Sequence, residues 1–341
     1  MPRIALNGIT AWITEVALAH AGDLPAQVMR RLDINRRSAN RLLARLVDAQ
    51  WLTRGGTTPR PRYEPGLLRQ VVRRYPLAGL DEALPWSRDF APSFALPPSV
   101  ARLAQHAFGE LLNNAIDHSG GTTVTVSMRQ TPSHLQLLVS DDGHGLFDRI
   151  AQTFQIDDPA AAMLELSKGK LTSMPEHHTG RGLFFTARIA AVLDLHANAT
   201  AFQHRAWQPH QWKRGKAAAR HGTSVFVAIA LDTPLTLDAV LRQHSVDGQG
   251  YRFERTVVPL QLLTAPGTVL DSRAQARRAA LRLQQFRHAT LDFGGIEEIG
   301  HGFADEMFRV FAASEPAVRL EPVNLSPQVR ALIDSVREHA A

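Results

Sequence analysis

A multidomain α/β protein is what the sequence predicts, and three observations predict it. The first 66 residues combine helical periodicity with a strong excess of arginine. The middle carries polar and glycine-rich stretches at the ends of alternating helix and strand patterns. The last 90 residues alternate strands with helices. The chain has 341 residues, 44% hydrophobic and 21% charged, with 15 Phe and 5 Trp, so two or three domains with sizeable cores are expected. It has no cysteine, which excludes disulfides, thiolate metal sites and cysteine nucleophiles. Neither a signal-peptide pattern nor an 18-residue apolar run occurs, and the expectation is a soluble cytoplasmic protein with no membrane contact.

The net charge of +6 is unevenly placed, because residues 1–80 carry 13 basic against 5 acidic side chains. Such an asymmetry fits a polyanion partner, and it serves solubility equally well. Residues 8–50 contain three helical patterns. The second, GDLPAQVMRRLD, has a capping Asp23 with Pro25 in its first turn. The third places Ala39, Leu42, Leu43, Leu46 and Val47 on one face and Arg36, Arg37, Asn40, Arg41 and Arg45 on the other. WLTRGGTTPRPRYEPG then reads as a hairpin whose turn comes from Gly-Gly and the prolines, with Arg54, Arg60 and Arg62 along it. Three helices and a basic hairpin over residues 1–66 resemble a winged helix-turn-helix. The arginine-bearing helix would enter the major groove of double-stranded DNA, with Arg60 and Arg62 near the backbone. Docking of a protein on the same unit is the competing reading.

Residues 67–98 read as a connector, LLRQVVRRYPLAGL making one helix before a proline-rich stretch. From Ser99 the pattern runs helix, strand, strand, glycine-rich turn, helix, strand, strand, to about residue 231. QPHQWKRGKAAARH, between the last two strands, reads as an exposed cationic excursion. Inside the first helix stands ELLNNAID. Adjacent asparagines are unfavourable in a helix interior because their amides compete for backbone bonds. Glu110 and Asn114 lie four apart and share a face, so both can address one cavity. Glu110 can orient or deprotonate water, and Asn114 can offer an oxygen to Mg²⁺. Asp141, ending an apolar strand in DDGHG, can accept from an exocyclic amine, while Gly143 and Gly145 let backbone close around a flat ring. Gly180 and Gly182 open a helix whose free N–H groups favour phosphate.

ELLNNA, DDGHG, GRGL and GTS, in that order over residues 99–231, resemble the ATP-binding domain shared by gyrase B, the heat-shock chaperone of 90 kDa, sensor histidine kinases and MutL. The resemblance implies a Bergerat-type α/β sandwich of the GHKL class, with helices over one face of a mixed sheet and ATP·Mg²⁺ between helices and a lid. It implies that Asn114 binds Mg²⁺, Asp141 the adenine amine, and Thr223 supports the adenine through water. Gly143 and Gly145 would line the base pocket. Thr179, Gly180, Arg181, Gly182 and Leu183 would surround the phosphates, and Glu110 falls where hydrolytic members keep their general base. The lid would span Phe147–Thr179, with Lys168 or Lys170 reaching the γ-phosphate and His177 and His178 beside it. Histidine as a zinc ligand is disfavoured because no third ligand recurs at a fixed spacing.

The last segment, 250–341, contains LDFGGIEEIGHGFADEMFRVF, which resembles a small STAS-like domain (DUF4325-like). Related anti-sigma-factor antagonists present a phosphorylatable serine after this strand; GGIEEIGHG has neither serine nor threonine. Asp292, Glu297 and Glu298 read as either an interaction surface or a solvated turn. The whole is read as an ATP-dependent regulator that binds and slowly hydrolyses Mg·ATP. Nucleotide state would be coupled to DNA binding and to a protein partner of the STAS-like domain; a homodimer stays open. The same glutamate could instead activate a serine or threonine hydroxyl, as in an anti-sigma-factor kinase, or the domain could sense nucleotide without chemistry. His106, inside the helix, reads as a packing residue rather than a phosphoacceptor.

Overall fold

The computed structural model describes residues 6–57, 60–172, 179–208, 212–217, 220–264 and 269–339. The expected His177 and His178 lie outside them.

At the N-terminus, helices α1 (Asn7–Thr10), α2 (Ile13–Ala19), α3 (Leu24–Leu32) and α4 (Arg36–Asp48) precede an antiparallel hairpin of β1 (Leu52–Thr57) and β2 (Arg60–Pro65). The first helical pattern is thus broken near Trp12. Helix α4 starts where the Asn35 side chain accepts from the Ser38 N–H at 2.9 Å, satisfying one of the free donors of its first turn. Its apolar stripe, Ala39, Leu42, Leu43 and Leu46, is buried with Ile13, Leu24, Val28, Trp51 and Tyr63 in a core of the unit's own. Gly55 and Gly56 lie within β1 rather than at the turn, and the register pairs Thr57 with Arg60.

The expected helix over 67–80 is instead a strand, β3 (Arg69–Pro76), paired antiparallel with β4 (Thr123–Gln130). Val71 and Tyr75, four apart on one face, are buried beside that neighbour, and the pairing overrides a weak helical preference. Short helical turns at Pro85–Phe90 and Ala91–Ser93 then lead into α5 (Pro98–His118). The central sheet also contains β5 (His134–Asp141), β6 (Val192–Ala197), β7 (Thr200–Arg205), β8 (Trp212–Arg214) and β9 (Thr223–Ala230). Its order is β3-β4-β5-β9-β6-β7-β8. Every described pairing in it is antiparallel, so the expected mixed sheet is corrected. The excursion after β7 is partly sheet, with Trp212 of β8 buried.

Helices α5, α6 (Leu146–Phe154), α7 (Pro159–Lys168) and α8 (Gly182–Ile189) accompany this sheet. Leu103, Ala107, Leu111 and Ala115 are among the residues that bury one stripe of α5, which leaves Glu110 and Asn114 on another. Most of the expected lid is therefore helix with buried positions such as Met163 and Leu164.

After α9 (Leu237–Gln243), the C-terminal unit has a parallel sheet ordered β10-β11-β12 from β10 (Arg255–Pro259), β11 (His288–Asp292) and β12 (Arg319–Val323). Its helices are α10 (Arg273–Ala280), α11 (His301–Asp305), which runs through a π-helical stretch into α12 (Ala312–Ser314), and α13 (Pro327–Glu338). A Ser272–Gln275 capping box starts α10. The helix stops at Ala280, where Leu281 leaves the helical conformation and Arg282 takes a left-handed φ of 64°. The buried residues of the central and C-terminal units form one continuous cluster. No helix among the described residues is long and apolar enough to cross a membrane.

Candidate functional site

Two adjacent aspartates end β5, and their surroundings give them different tasks. Asp141 is buried, and its Oδ1 accepts from the backbone N–H of Gly143 at 2.9 Å and of Thr223 at 3.1 Å. Burial pushes its carboxyl pKa up, against the pull of those amides. Asp142 is exposed and binds the N–H groups of Thr122 and Thr123 at 2.7 and 2.9 Å, together with both hydroxyls. Those bonds hold its carboxyl far below the usual range. Asp142 ties down the turn, whereas Asp141 faces a cavity.

That cavity lies where α5, α6, the end of α7 and the start of α8 meet the sheet. Asn114, Asp141, Gly145, Gly180, Gly182, Leu183 and Thr223 line it, so seven of the sequence-predicted residues converge on one space. Its apolar wall includes Val139, Ile150, Phe154, Leu166, Leu171 and Val225. The Thr223 hydroxyl accepts from the Leu146 N–H at 3.0 Å, joining β9 to the start of α6. Gly143 does not line the cavity. It stands behind Asp141 against the Ser119 carbonyl, where a Cβ would collide. At Gly182 a Cβ would collide with the Glu110 carboxylate. Glu110 therefore rests on the first turn of α8, beside the free N–H groups of its N-terminus, and, unlike Asn114, does not line the cavity the two were expected to share. Its neighbour one turn back, His106, has Nδ1 3.9 Å from Glu110 Oε1, and burial lowers its pKa.

Lys168 and Lys170 need correction, for neither lines the cavity. Lys168 is fully buried and pairs with Glu165 at 2.5 Å, while its ammonium donates to the Leu281 carbonyl at 2.9 Å. Lys170 donates to the Gln285 carbonyl at 2.6 Å and lies over the Phe286 ring. Both ammonium groups are held by the C-terminal unit. Thr179 is exposed and Arg181 half-buried at the entry to α8, and neither lines the cavity.

Three contributors escaped the sequence reading. Arg149 reaches the cavity from α6, one turn after Gly145, and His118 does so from the end of α5. Asn198, in the β6–β7 turn, donates to the His144 carbonyl at 2.8 Å and accepts from the Gly222 N–H at 3.0 Å, latching the DDGHG loop to the GTS loop. The spacing from Gly145 was a usable signal for Arg149. Asn198 had none, because its partners are remote in sequence.

Away from the cavity, Arg36, Arg37, Asn40 and Arg41 are exposed on α4 and Arg45 is half-buried; Arg60 and Arg62 are exposed on β2, with Arg62 3.4 Å from Glu64. In the C-terminal unit Asp292 Oδ1 accepts from the Gly294 N–H at 2.9 Å and from Asn324 at 2.8 Å, which makes it a loop anchor; Glu297 and Glu298 are exposed.

Residues 99–254 match the family of histidine kinase-, DNA gyrase B- and HSP90-like ATPases. Residues 277–330 match the STAS-like domain of unknown function (DUF4325). The chain carries a central GHKL-type ATPase domain and a C-terminal STAS-like domain. No curated protein matches it significantly. The ATPase match takes in α9, beyond the expected limit at 231, while β3 stands outside it as an added edge strand. The STAS-like match begins inside α10, so β10 extends that domain N-terminally.

Proposed function

We propose that the protein is a regulator that binds Mg·ATP in the central cavity and hydrolyses it slowly. The observation that carries this is Asp141: a buried carboxylate with Oδ1 fixed by two backbone amides and the cavity before it. Oδ2 is then the acceptor for an exocyclic amine, and the apolar wall takes the ring. Leaving a buried acceptor without its partner costs about 1–3 kcal/mol, which is the basis of base selection. The donor set fits Mg²⁺. Asn114 presents a hard oxygen at the exposed side of the cavity, and an ion that keeps most of its waters needs few protein ligands. When bound, the metal would supply charge to the phosphates. Gly180, Gly182 and Leu183 would meet those phosphates with backbone N–H groups, and Arg149 is a cation within reach. Glu110, on the face shared with Asn114, would take a proton from water.

Calorimetry with Mg·ATP tests the reading. Asp141→Asn should weaken binding by roughly five- to 150-fold, Asn114→Ala should remove its Mg²⁺ dependence, and Glu110→Gln should bind ATP without turnover. Unchanged affinity in folded Asp141→Asn would sink the adenine assignment. Wild-type binding without turnover would favour sensing, or phosphoryl transfer to a protein hydroxyl.

A second reading concerns the N-terminal unit. We read it as a winged helix that grips duplex DNA, on the strength of the exposed Arg36, Arg37, Asn40 and Arg41 on α4, opposite its buried stripe. Arg60 and Arg62 on the hairpin would approach a flanking phosphate.

A further inference from the structure

Residues 165–171, at the end of α7 and just after it, have two sides. Leu166 and Leu171 line the cavity, while the residues between and beside them are gripped by the STAS-like domain. Arg282 donates to Glu165 Oε2 at 3.1 Å and to the Gly169 carbonyl at 3.3 Å. The Thr256 hydroxyl donates to the Lys168 carbonyl at 2.7 Å. Lys168 and Lys170 reach back to the carbonyls of Leu281 and Gln285. Gly169 is packed so closely on Phe253 that a Cβ would collide with the ring. Beyond it the Lys170 N–H donates to the Gly180 carbonyl at 2.8 Å, joining this wall to the loop that opens α8.

The geometry points to a role for the STAS-like domain: it sets the nucleotide affinity of the ATPase domain by holding the Glu165–Leu171 wall of the cavity in its binding shape. The inference rests on the cavity being the nucleotide site. Simple adhesion between domains would be served by the apolar cluster alone. Here, polar groups that are costly to bury converge on a seven-residue segment whose Leu166 and Leu171 line the ligand space. A wall already in place spares the ligand the cost of ordering it. The coupling is reciprocal, so bound nucleotide tightens the domain contact by the same factor.

The test uses the full chain with Arg282→Gln and Thr256→Val. Neither residue touches the cavity, and Thr256→Val removes one hydroxyl at nearly constant volume, which keeps the test open should Arg282→Gln fail to fold. Mg·ATP affinity is read by calorimetry, and amide exchange is followed over 165–172 and 281–287. Folded variants should bind Mg·ATP more weakly by on the order of fivefold or more, with faster exchange over 165–172. In the wild type, Mg·ATP should slow exchange over 281–287. Wild-type affinity in both variants overturns the inference. If the wild type binds no nucleotide, the reading of the cavity falls. Exchange without ligand then decides the holding alone, and unchanged exchange over 165–172 in the variants overturns it.

Discussion

The N-terminal unit keeps its buried residues, Ile9 to Tyr63, in a cluster of its own, whereas the STAS-like domain shares one continuous cluster with the ATPase domain. The contacts differ in kind as well. On the N-terminal side the Gln70 N–H of β3 donates to the Thr14 hydroxyl at 3.1 Å, Arg73 pairs with Glu15, and Arg129 lies over Trp51. On the C-terminal side Phe184, Phe253 and Phe286 pack tilted and edge-on with centroids 4.4 and 5.3 Å apart, beside the buried Glu165–Lys168–Arg282 group. The first junction is a few contacts of polar side chains at β3 and β4, and the second is a core. A change at the cavity therefore has a buried route to the STAS-like domain, whereas the N-terminal unit is the more loosely attached of the two.

The largest effect should come from breaking the core-like junction. Lys168→Met leaves Glu165 buried with Arg282 alone and frees the Leu281 carbonyl. Removing one partner of a buried ion pair costs about 3–5 kcal/mol, and the urea midpoint should fall accordingly. A loss below about 1 kcal/mol would mean that water reaches the pair, and the junction would then resemble the N-terminal one.

Acid should weaken the same junction. Burial first, and the Arg188 guanidinium second, hold the His244 imidazole down at about 3, and its ring packs edge-on to Phe184. The folded protein keeps this ring neutral where the unfolded chain takes up a proton, so stability is full above about pH 6.5 and falls as pH drops towards 3. The expected loss between pH 7 and pH 4.5 is about 2.5 kcal/mol, and His244→Gln should flatten that slope. If the variant keeps the full slope, other groups carry the acid sensitivity.

Cutting the other junction should cost less. Thr14→Val leaves the Gln70 N–H without its acceptor, for about 1 kcal/mol. The loss should fall on the N-terminal unit, which scanning calorimetry should resolve as a transition separate from that of the other two domains. A single transition shifted as a whole would show that the chain melts as one body.

How much of this was legible in sequence follows from the range of the forces involved. The polar face of α5 stood out because Glu110 and Asn114 conflict with ordinary helix packing, and the structure puts Asn114 in the cavity and Glu110 against Gly182. The patterns for β4, β5, β7 and β9 were equally open, being long enough to alternate, whereas β6 was missed, its apolar residues running on from those of α8. Strand β3 was misread because its Val-Val and Arg-Arg pairs suit either period until β4 is beside it. β12, RLEPV, is too short and too exposed to announce itself. Lys168 and Lys170 were misplaced for another reason: a lysine next to a phosphate loop has two plausible destinations, and its address is set by carbonyls more than 110 residues away.

The smallest expected effect concerns the looser end and a single surface arginine. If α4 enters a DNA groove with β2 on the flanking backbone, Arg60 neutralises one phosphate. Arg60→Ala should then weaken binding to all sequences about equally and reduce the salt slope by about one. Arg41→Ala, on the face of α4 itself, should additionally relax preference at one base pair, by about 1–3 kcal/mol if its contact is bidentate. The excess of 13 basic over 5 acidic residues in the first 80 motivates the experiment, as does the exposure of both side chains. Binding of the full chain to genomic fragments would be titrated against salt, with and without Mg·ATP. Binding that is absent at low salt in both conditions would end the DNA reading and leave protein docking for this unit. Binding whose salt slope is unchanged by Arg60→Ala would move the phosphate contact elsewhere on the basic surface. A nucleotide-dependent change in affinity would mean that even the looser junction transmits the state of the cavity, and the contrast between the two ends would be one of degree.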